Sequence, residues 1–238
     1  MASMLDGSEL DSPFFRDRID AGQRLARRLD AYRGADALVL GIPRGGVPVA
    51  AEVARLLDAD LDVVVARKLG APGLPELAMG AVTANGGQFL NDSVISELGV
   101  SSEYLGRAIE EQTAEARQRE ERFRGGRPAP RIAGRTVIVV DDGLATGATM
   151  RASVRSVRAG DPARLVVAVP VGTPQSCAAL RAEADEVVCA YQPEEFWAVG
   201  YYYQHFEPVG DDEVNAILGE VWATRSAGEQ AAQARPGA

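Results

Sequence analysis

The chain has 238 residues, 46% of them hydrophobic and 25% charged, and a formal net charge of −9. That length suits one α/β domain with an appended piece, or two small domains, and can bury a sizeable core, while the negative balance argues against bulk nucleic-acid binding, which needs a cationic surface. No apolar run approaches the ~20 residues that span a bilayer, and the start MASMLDGSELDSPFF lacks the basic and apolar regions of a secretion signal, so a cytoplasmic protein without membrane contact is expected.

Residues 1–13 read as disordered. DRIDAGQRLARRLDAY predicts an amphipathic helix with Ile19, Gly22, Leu25, Ala26 and Leu29 on one side. DALVLGIP reads as a short strand, GGVPVAAEVARLLDA as a helix behind a glycine turn, and LDVVVARK as one further strand. APGLPELAMG, with two prolines and two glycines, reads as a loop, and AVTANGGQFLN as a hairpin around Asn85-Gly86-Gly87.

SSEYLGRAIEEQTAEARQREERFRGG predicts one long helix over about 101–125. Ser101 or Ser102 caps it, Gly125 ends it, Leu105, Ile109, Ala116 and Phe123 dock it, and its charges form a solvated face. A regular rhythm follows: strand RTVIVVDD, helix GATMRASVRSVRA, strand RLVVAVPVG, helix TPQSCAALRAEA, strand DEVVCAY. Val/Ile-rich strands alternating with helices predict a mostly parallel twisted sheet flanked by helices, with the helical insertion as a small hood. An aromatic segment over 191–222 ends in a helix, and 226–238 reads as a disordered tail. Cys177 and Cys189 are too few for a disulfide framework and predict reduced thiols.

In such sheets ligands bind at the carboxyl ends of strands. VIVVDDGLATGATM, Val137 to Met150, places Asp141 and Asp142 there, before a small-residue loop and a helix. The loop's free N–H groups and the helix dipole suit an anion. Gly143, Ala145, Gly147 and Ala148 allow close approach, and Thr146 and Thr149 add hydroxyls. Two carboxylates beside it would repel a bare phosphate but accept hydrogen bonds from a neighbouring diol. A ribose 5-phosphate moiety has both groups. A Walker loop needs a lysine that is absent, and the GxGxxG dinucleotide fingerprint is absent too.

VIVVDDGLATGATM resembles the phosphoribosyl-pyrophosphate (PRPP) motif of the type I phosphoribosyltransferases. With FRDRIDAGQRLA, GIPRGGVPVAAEVA, VVVARKLGAPGLPELAMGAV and FWAVGYYYQHF, the chain is similar over roughly residues 14–222 to predicted bacterial and archaeal members of unassigned acceptor. The resemblance implies a phosphoribosyltransferase domain over 14–225. It implies transfer of 5-phosphoribosyl from PRPP to a nitrogen acceptor, a small molecule of the nucleobase kind, with Mg2+ chelated mainly by substrate oxygens and no dedicated metal-ligand set assigned. A homodimer is implied in the same way.

The same resemblance gives the residues their expected roles. Asp141 and Asp142 hold the ribose hydroxyls, and Ala145, Thr146, Gly147, Ala148 and Thr149 cradle the 5-phosphate. Arg44, Gly45 and Gly46 sit at the pyrophosphate loop, and Arg67 and Lys68 neutralise the leaving group beneath a closing hairpin. Glu76 stands as a substitute general base, because Ala145 occupies the place of an aspartate in hypoxanthine–guanine members. Phe196, Trp197 and Val199 contact the acceptor. A PRPP-binding regulator and a hydrolase that uses water as acceptor are the alternatives.

Overall fold

A computed structural model describes residues 14–233, and the disordered segment expected over 1–13 lies outside them, as does the end of the expected tail beyond 233. Five strands, β1 (Ala37–Gly41), β2 (Asp60–Val63), β6 (Thr136–Val140), β7 (Arg164–Val171) and β8 (Glu186–Tyr191), form one sheet in the order β2-β1-β6-β7-β8. Every pairing is parallel, so all five strands end at the same edge. The expected α/β architecture is what the chain adopts.

Alternation along the strands explains the two layers. Val39, Ile138, Val140, Val166 and Ala168 face one core, which α1 (Arg18–Arg28), α2 (Gly46–Leu57) and α7 (Asp211–Gln233) cover. Leu38, Val137, Val139, Leu165 and Val167 face the other, covered by α5 (Ala148–Arg158) and α6 (Pro174–Leu180). In α1 the buried stripe is Ala21, Gly22, Leu25 and Ala26. Ile19, expected on that side, is exposed, because it sits about one residue's rotation off the stripe.

The largest departures from expectation lie between residues 60 and 97. LDVVVARK is two strands: β2 stays in the main sheet, and β3 (Ala66–Ala71) begins a second, antiparallel sheet with β4 (Leu74–Thr83) and β5 (Gln88–Leu90). The segment expected as a loop is β4 itself. Pro72 and Gly73 make only the β3–β4 turn, where Gly73 has φ 71° and Ala71 pairs with Leu74. Pro75 has no N–H to offer, and it stands where β4 lacks a second neighbour, since β5 pairs only from Gly80 onward. The hairpin at Asn85-Gly86-Gly87 joins β4 and β5 as expected, and a short helix α3 (Asp92–Glu97) follows, capped by Asn91.

The long helix α4 (Ser102–Arg124) is capped by Ser101 and closed by Gly125 in the left-handed conformation. It packs on β3 and β4, with Ala116 and Phe123 buried and Leu105 and Ile109 half-buried. Its charges do not all face solvent. Arg124 is tied to buried Asp62 and Glu120, and Arg119 reaches Asp211. At the other end of the chain, α7 continues through residues 226–233, past the point where the sequence reads as disordered. Among the described residues, no helix is long and apolar enough to cross a membrane, and Cys177 and Cys189 are free thiols.

Candidate functional site

The strands β1 and β6 are neighbours, with Gly41 opposite Val140, so the segments leaving their carboxyl ends emerge side by side. One is IPRGG and the other is Asp141-Asp142. The order of connection reverses here, since β1 leads to β2 on one side while β6 leads to β7 on the other, which makes this crevice the topological switch point of the sheet. The two glycines are what let the segments touch. A Cβ at Gly45 would lie 1.9 Å from Asp142 Oδ2, and one at Gly46 would lie 2.8 Å from the Val140 carbonyl and 3.1 Å from Asp141 Oδ1. The peptide between Pro43 and Arg44 is cis.

The two carboxylates differ in their support. Asp142 Oδ2 accepts from Arg18 Nε at 2.9 Å, and the Arg18 guanidinium lies 3.9 Å over the Phe206 ring. Tyr203 donates its hydroxyl to the Asp142 carbonyl at 2.6 Å. Asp141 Oδ1 accepts the Asp142 N–H at 2.9 Å. Burial raises the carboxyl of Asp141 well above the usual carboxylate range, and the charge of Asp142 adds to it. Burial also raises Asp142, against the opposing pull of Arg18.

Beyond the carboxylates, Leu144 anchors the loop by pairing with Gly172, its N–H donating to the Val171 carbonyl. Gly147, at φ 77°, turns the chain into α5, whose first amides have no intrahelical acceptor. The Ala145 carbonyl accepts from Ser176 Oγ at 2.5 Å and Thr173 Oγ1 at 3.4 Å.

Two cavities border this loop. The larger, of about 710 Å³, brings together Ala145, Thr146, Gly147 and Ala148 with Lys68 and Glu76 from the second sheet and with Phe196 and Trp197. Trp197 is 78% exposed there, while Phe196 stacks on Tyr202 with ring centroids 5.5 Å apart. The smaller, of about 360 Å³, brings together Arg44, Arg67, Lys68 and Thr149, and adds Arg119 from α4. Lys68 is common to both. Adjacent strand residues point to opposite faces, so Arg67 turns toward α4, where it meets Gln112 and Glu115. Val199 lines neither cavity. It packs on Gly143, where a Cβ would come within 2.4 Å of it.

Arg18 and Tyr203 lie within the stretches FRDRIDAGQRLA and FWAVGYYYQHF but take no role from them, and Arg119 lies in neither. A signal for the two arginines does exist. Arg18 stands at i relative to Ala21, Gly22 and Leu25 on the buried stripe of α1, and Arg119 stands at i+3 from Ala116 on the docked stripe of α4. A charge on an apolar stripe implies a partner across the interface. No group of three or more His, Cys, Asp or Glu arranged to hold a metal occurs among the described residues.

Residues 16–205 match the phosphoribosyl transferase domain family. Over 204 residues the chain is 47% identical to two Mycobacterium tuberculosis proteins, "Putative phosphoribosyl transferase MT0597" of strain CDC 1551 / Oshkosh and "Putative phosphoribosyl transferase Rv0571c" of strain ATCC 25618 / H37Rv. Each match covers 86% of this chain and 46% of the relative, so the chain spans about half the length of these curated relatives. Among solved structures, TT1426 from Thermus thermophilus is 47% identical, with a TM-score of 0.74 over 87% of this chain and 98% of that one.

Proposed function

The chain belongs to the phosphoribosyl transferase domain family, and from that premise we propose that it transfers 5-phosphoribosyl from PRPP to a nitrogen acceptor of the nucleobase kind. The observation that carries this reading is the meeting of Asp141 and Asp142 with Gly45, Gly46 and the amides that open α5. A diol, a phosphate ester and a pyrophosphate on one ribose need three such sites in one crevice. We read residues 14–225 as the domain responsible, acting in the cytoplasm, in keeping with its free thiols, and as a homodimer.

In this reading Asp141 and Asp142 accept hydrogen bonds from the ribose 2- and 3-hydroxyls. The amides of residues 145–149, with Thr146 and Thr149, bind the 5-phosphate. Arg44 and the N–H of Gly45 take the pyrophosphate, joined by Arg67 and Lys68, while Gly46, whose N–H donates to the Ile42 carbonyl, lets the loop lie against Asp141. The acceptor nitrogen bonds to C1 as the C1–oxygen bond breaks, and the pyrophosphate leaves with the bonding pair. Positioning and charge stabilisation carry most of the rate, since the transition state has oxocarbenium character. Trp197 and Phe196 offer a flat surface to the acceptor, Val199 supports that side through Gly143, and Glu76 takes the acceptor's proton.

The donor set suits Mg2+. This ion takes one or two carboxylates and completes its shell with substrate phosphates and water, and Asp141 and Asp142 supply such a pair without a protein cage. When bound, Mg2+ neutralises charge on the pyrophosphate.

The test is pyrophosphate release from PRPP and Mg2+ in the presence of a panel of purines, pyrimidines and other amines. Release only with an added acceptor supports transfer. Release without one identifies a hydrolase, and saturable PRPP binding with no release identifies a regulator.

A further inference from the structure

The protein carries a net charge of −9, yet Arg44, Arg67, Lys68 and Arg119 converge on a single cavity. Three of these lie on elements already tied to the proposed leaving-group site. Arg119 does not: it belongs to α4, a helix with no place in the PRPP motif, and its side chain is only 23% exposed. Its Nη2 reaches Asp211 Oδ1 at 2.5 Å, and Arg44 Nη1 approaches the same oxygen at 3.6 Å. Arg122 Nη1 stands 3.7 Å from the other oxygen. One carboxylate thus serves three guanidinium groups, while Glu115 serves Arg67. In these contacts two carboxylates, Asp211 and Glu115, serve four guanidiniums, those of Arg44, Arg67, Arg119 and Arg122.

The Arg119 Nε–H is buried and has no acceptor among the described residues. A buried charged donor without a partner is costly. A strut between α4 and α7 needs one arginine and one carboxylate. It explains neither the orphan donor nor the second and third guanidinium.

We propose that Arg119 binds the pyrophosphate leaving group together with Arg44, and that Asp211 is an internal carboxylate that holds both guanidiniums until pyrophosphate displaces it. This rests on the phosphoribosyl transfer reading. Asp211 is the first residue of α7, where the helix dipole favours its charge and fixes its position. A pyrophosphate presents more negative charge and more oxygens than one carboxylate, so it competes well for planar, bidentate donors. Because Arg44 and Arg119 share one oxygen of Asp211, the two are already spaced to grip an oxyanion between them, which saves reorganisation when the leaving group forms.

The experiment is calorimetric titration of the whole chain with inorganic pyrophosphate plus Mg2+, and separately with ribose 5-phosphate, which lacks the pyrophosphate. Arg119→Gln is expected to weaken pyrophosphate about 10-fold or more while leaving ribose 5-phosphate within about twofold, with partial recovery in Arg119→Lys. Asp211→Asn is expected to tighten pyrophosphate several-fold. Pyrophosphate affinity unchanged in Arg119→Gln, or equal loss of both ligands, would overturn the inference. Should Arg119→Gln fail to fold, unchanged or weaker pyrophosphate binding in Asp211→Asn overturns it as well. A wild-type protein that binds neither ligand overturns the transfer reading itself, whereas one that binds both and is indifferent to Arg119 overturns only this inference.

Discussion

Arg18 Nε lies 2.9 Å from Asp142 Oδ2, joining the first helix to the end of β6 across 124 residues of sequence. The pair is nearly enclosed, with the two side chains 12% and 15% exposed. Among the described residues, Asp141 has no such cation bonded to it. The crevice therefore holds two carboxylates that burial raises, Asp142 against the opposing pull of Arg18 and Asp141 further, with its neighbour's charge added.

Removing Arg18 leaves Asp142 buried without its partner. Breaking such a pair costs about 3 kcal/mol, which for a domain of this size lowers Tm by roughly 6–12 °C. Arg18→Ala is expected to show that loss by thermal melting, together with weaker ribose 5-phosphate binding. A melt shifted by under ~2 °C would mean that the pair contributes little.

Asp141 gives a pH signature whose sign is fixed. Its folded carboxyl titrates above the ordinary range, so the native state binds this proton more tightly than the unfolded chain does. The contribution of the group to stability then falls as pH rises from the ordinary carboxylate range through the raised value. At pH 7.5 Asp141→Asn is expected to melt higher than the wild type, by about 2–4 °C for each kcal/mol of relief, and the gain shrinks toward pH 4. A gain that stays constant with pH would show that the charge is not its source.

Gly46 tests the contact between the two strand-end segments. Its added Cβ meets backbone atoms, the Val140 carbonyl at 2.8 Å and Asp141 Cα at 2.9 Å, and backbone there has little room to yield. Gly46→Ala is expected to cost ~1–3 kcal/mol in denaturant melts and to impair PRPP binding. Full PRPP affinity in this variant would separate IPRGG from the donor site.

Arg67 faces α4 and lines the smaller cavity, so its proposed charge partner grows as pyrophosphate departs. Arg67→Ala is expected to slow single-turnover pyrophosphate release by about 100-fold while PRPP Kd changes by under ~3-fold. Equal losses in rate and binding would assign Arg67 to ground-state binding.

Much of this crevice is legible in the sequence because its chemistry is local. Asp141, Asp142 and the loop to Thr149 are contiguous, and a branched apolar strand before them fixes where they end. The parallel sheet is legible for the same reason, in the strand–helix rhythm after Arg135. The second sheet is not. Val63, Val64 and Val65 run unbroken into Ala66, and apolarity alone gives no sign that the chain leaves one sheet for another between them. Prolines and glycines in APGLPELAMG signal a loop, yet only Pro72 and Gly73 turn, and Pro75 is tolerated where one edge of β4 is open. Arg18, Tyr203 and Arg119 act across long sequence separations, so only their places on otherwise apolar stripes or in an aromatic cluster hint at partners.

The central claim is that Asp141 and Asp142 read the ribose of PRPP. Titration calorimetry of PRPP with Mg2+ against the wild-type chain and the folded double variant Asp141→Asn with Asp142→Asn tests it most directly. Each charged hydrogen bond contributes about 1.5–3 kcal/mol, so saturable wild-type binding should weaken by about 10-fold or more in the double variant. Equal PRPP affinity in the two proteins, or no binding by the wild type, would contradict the account.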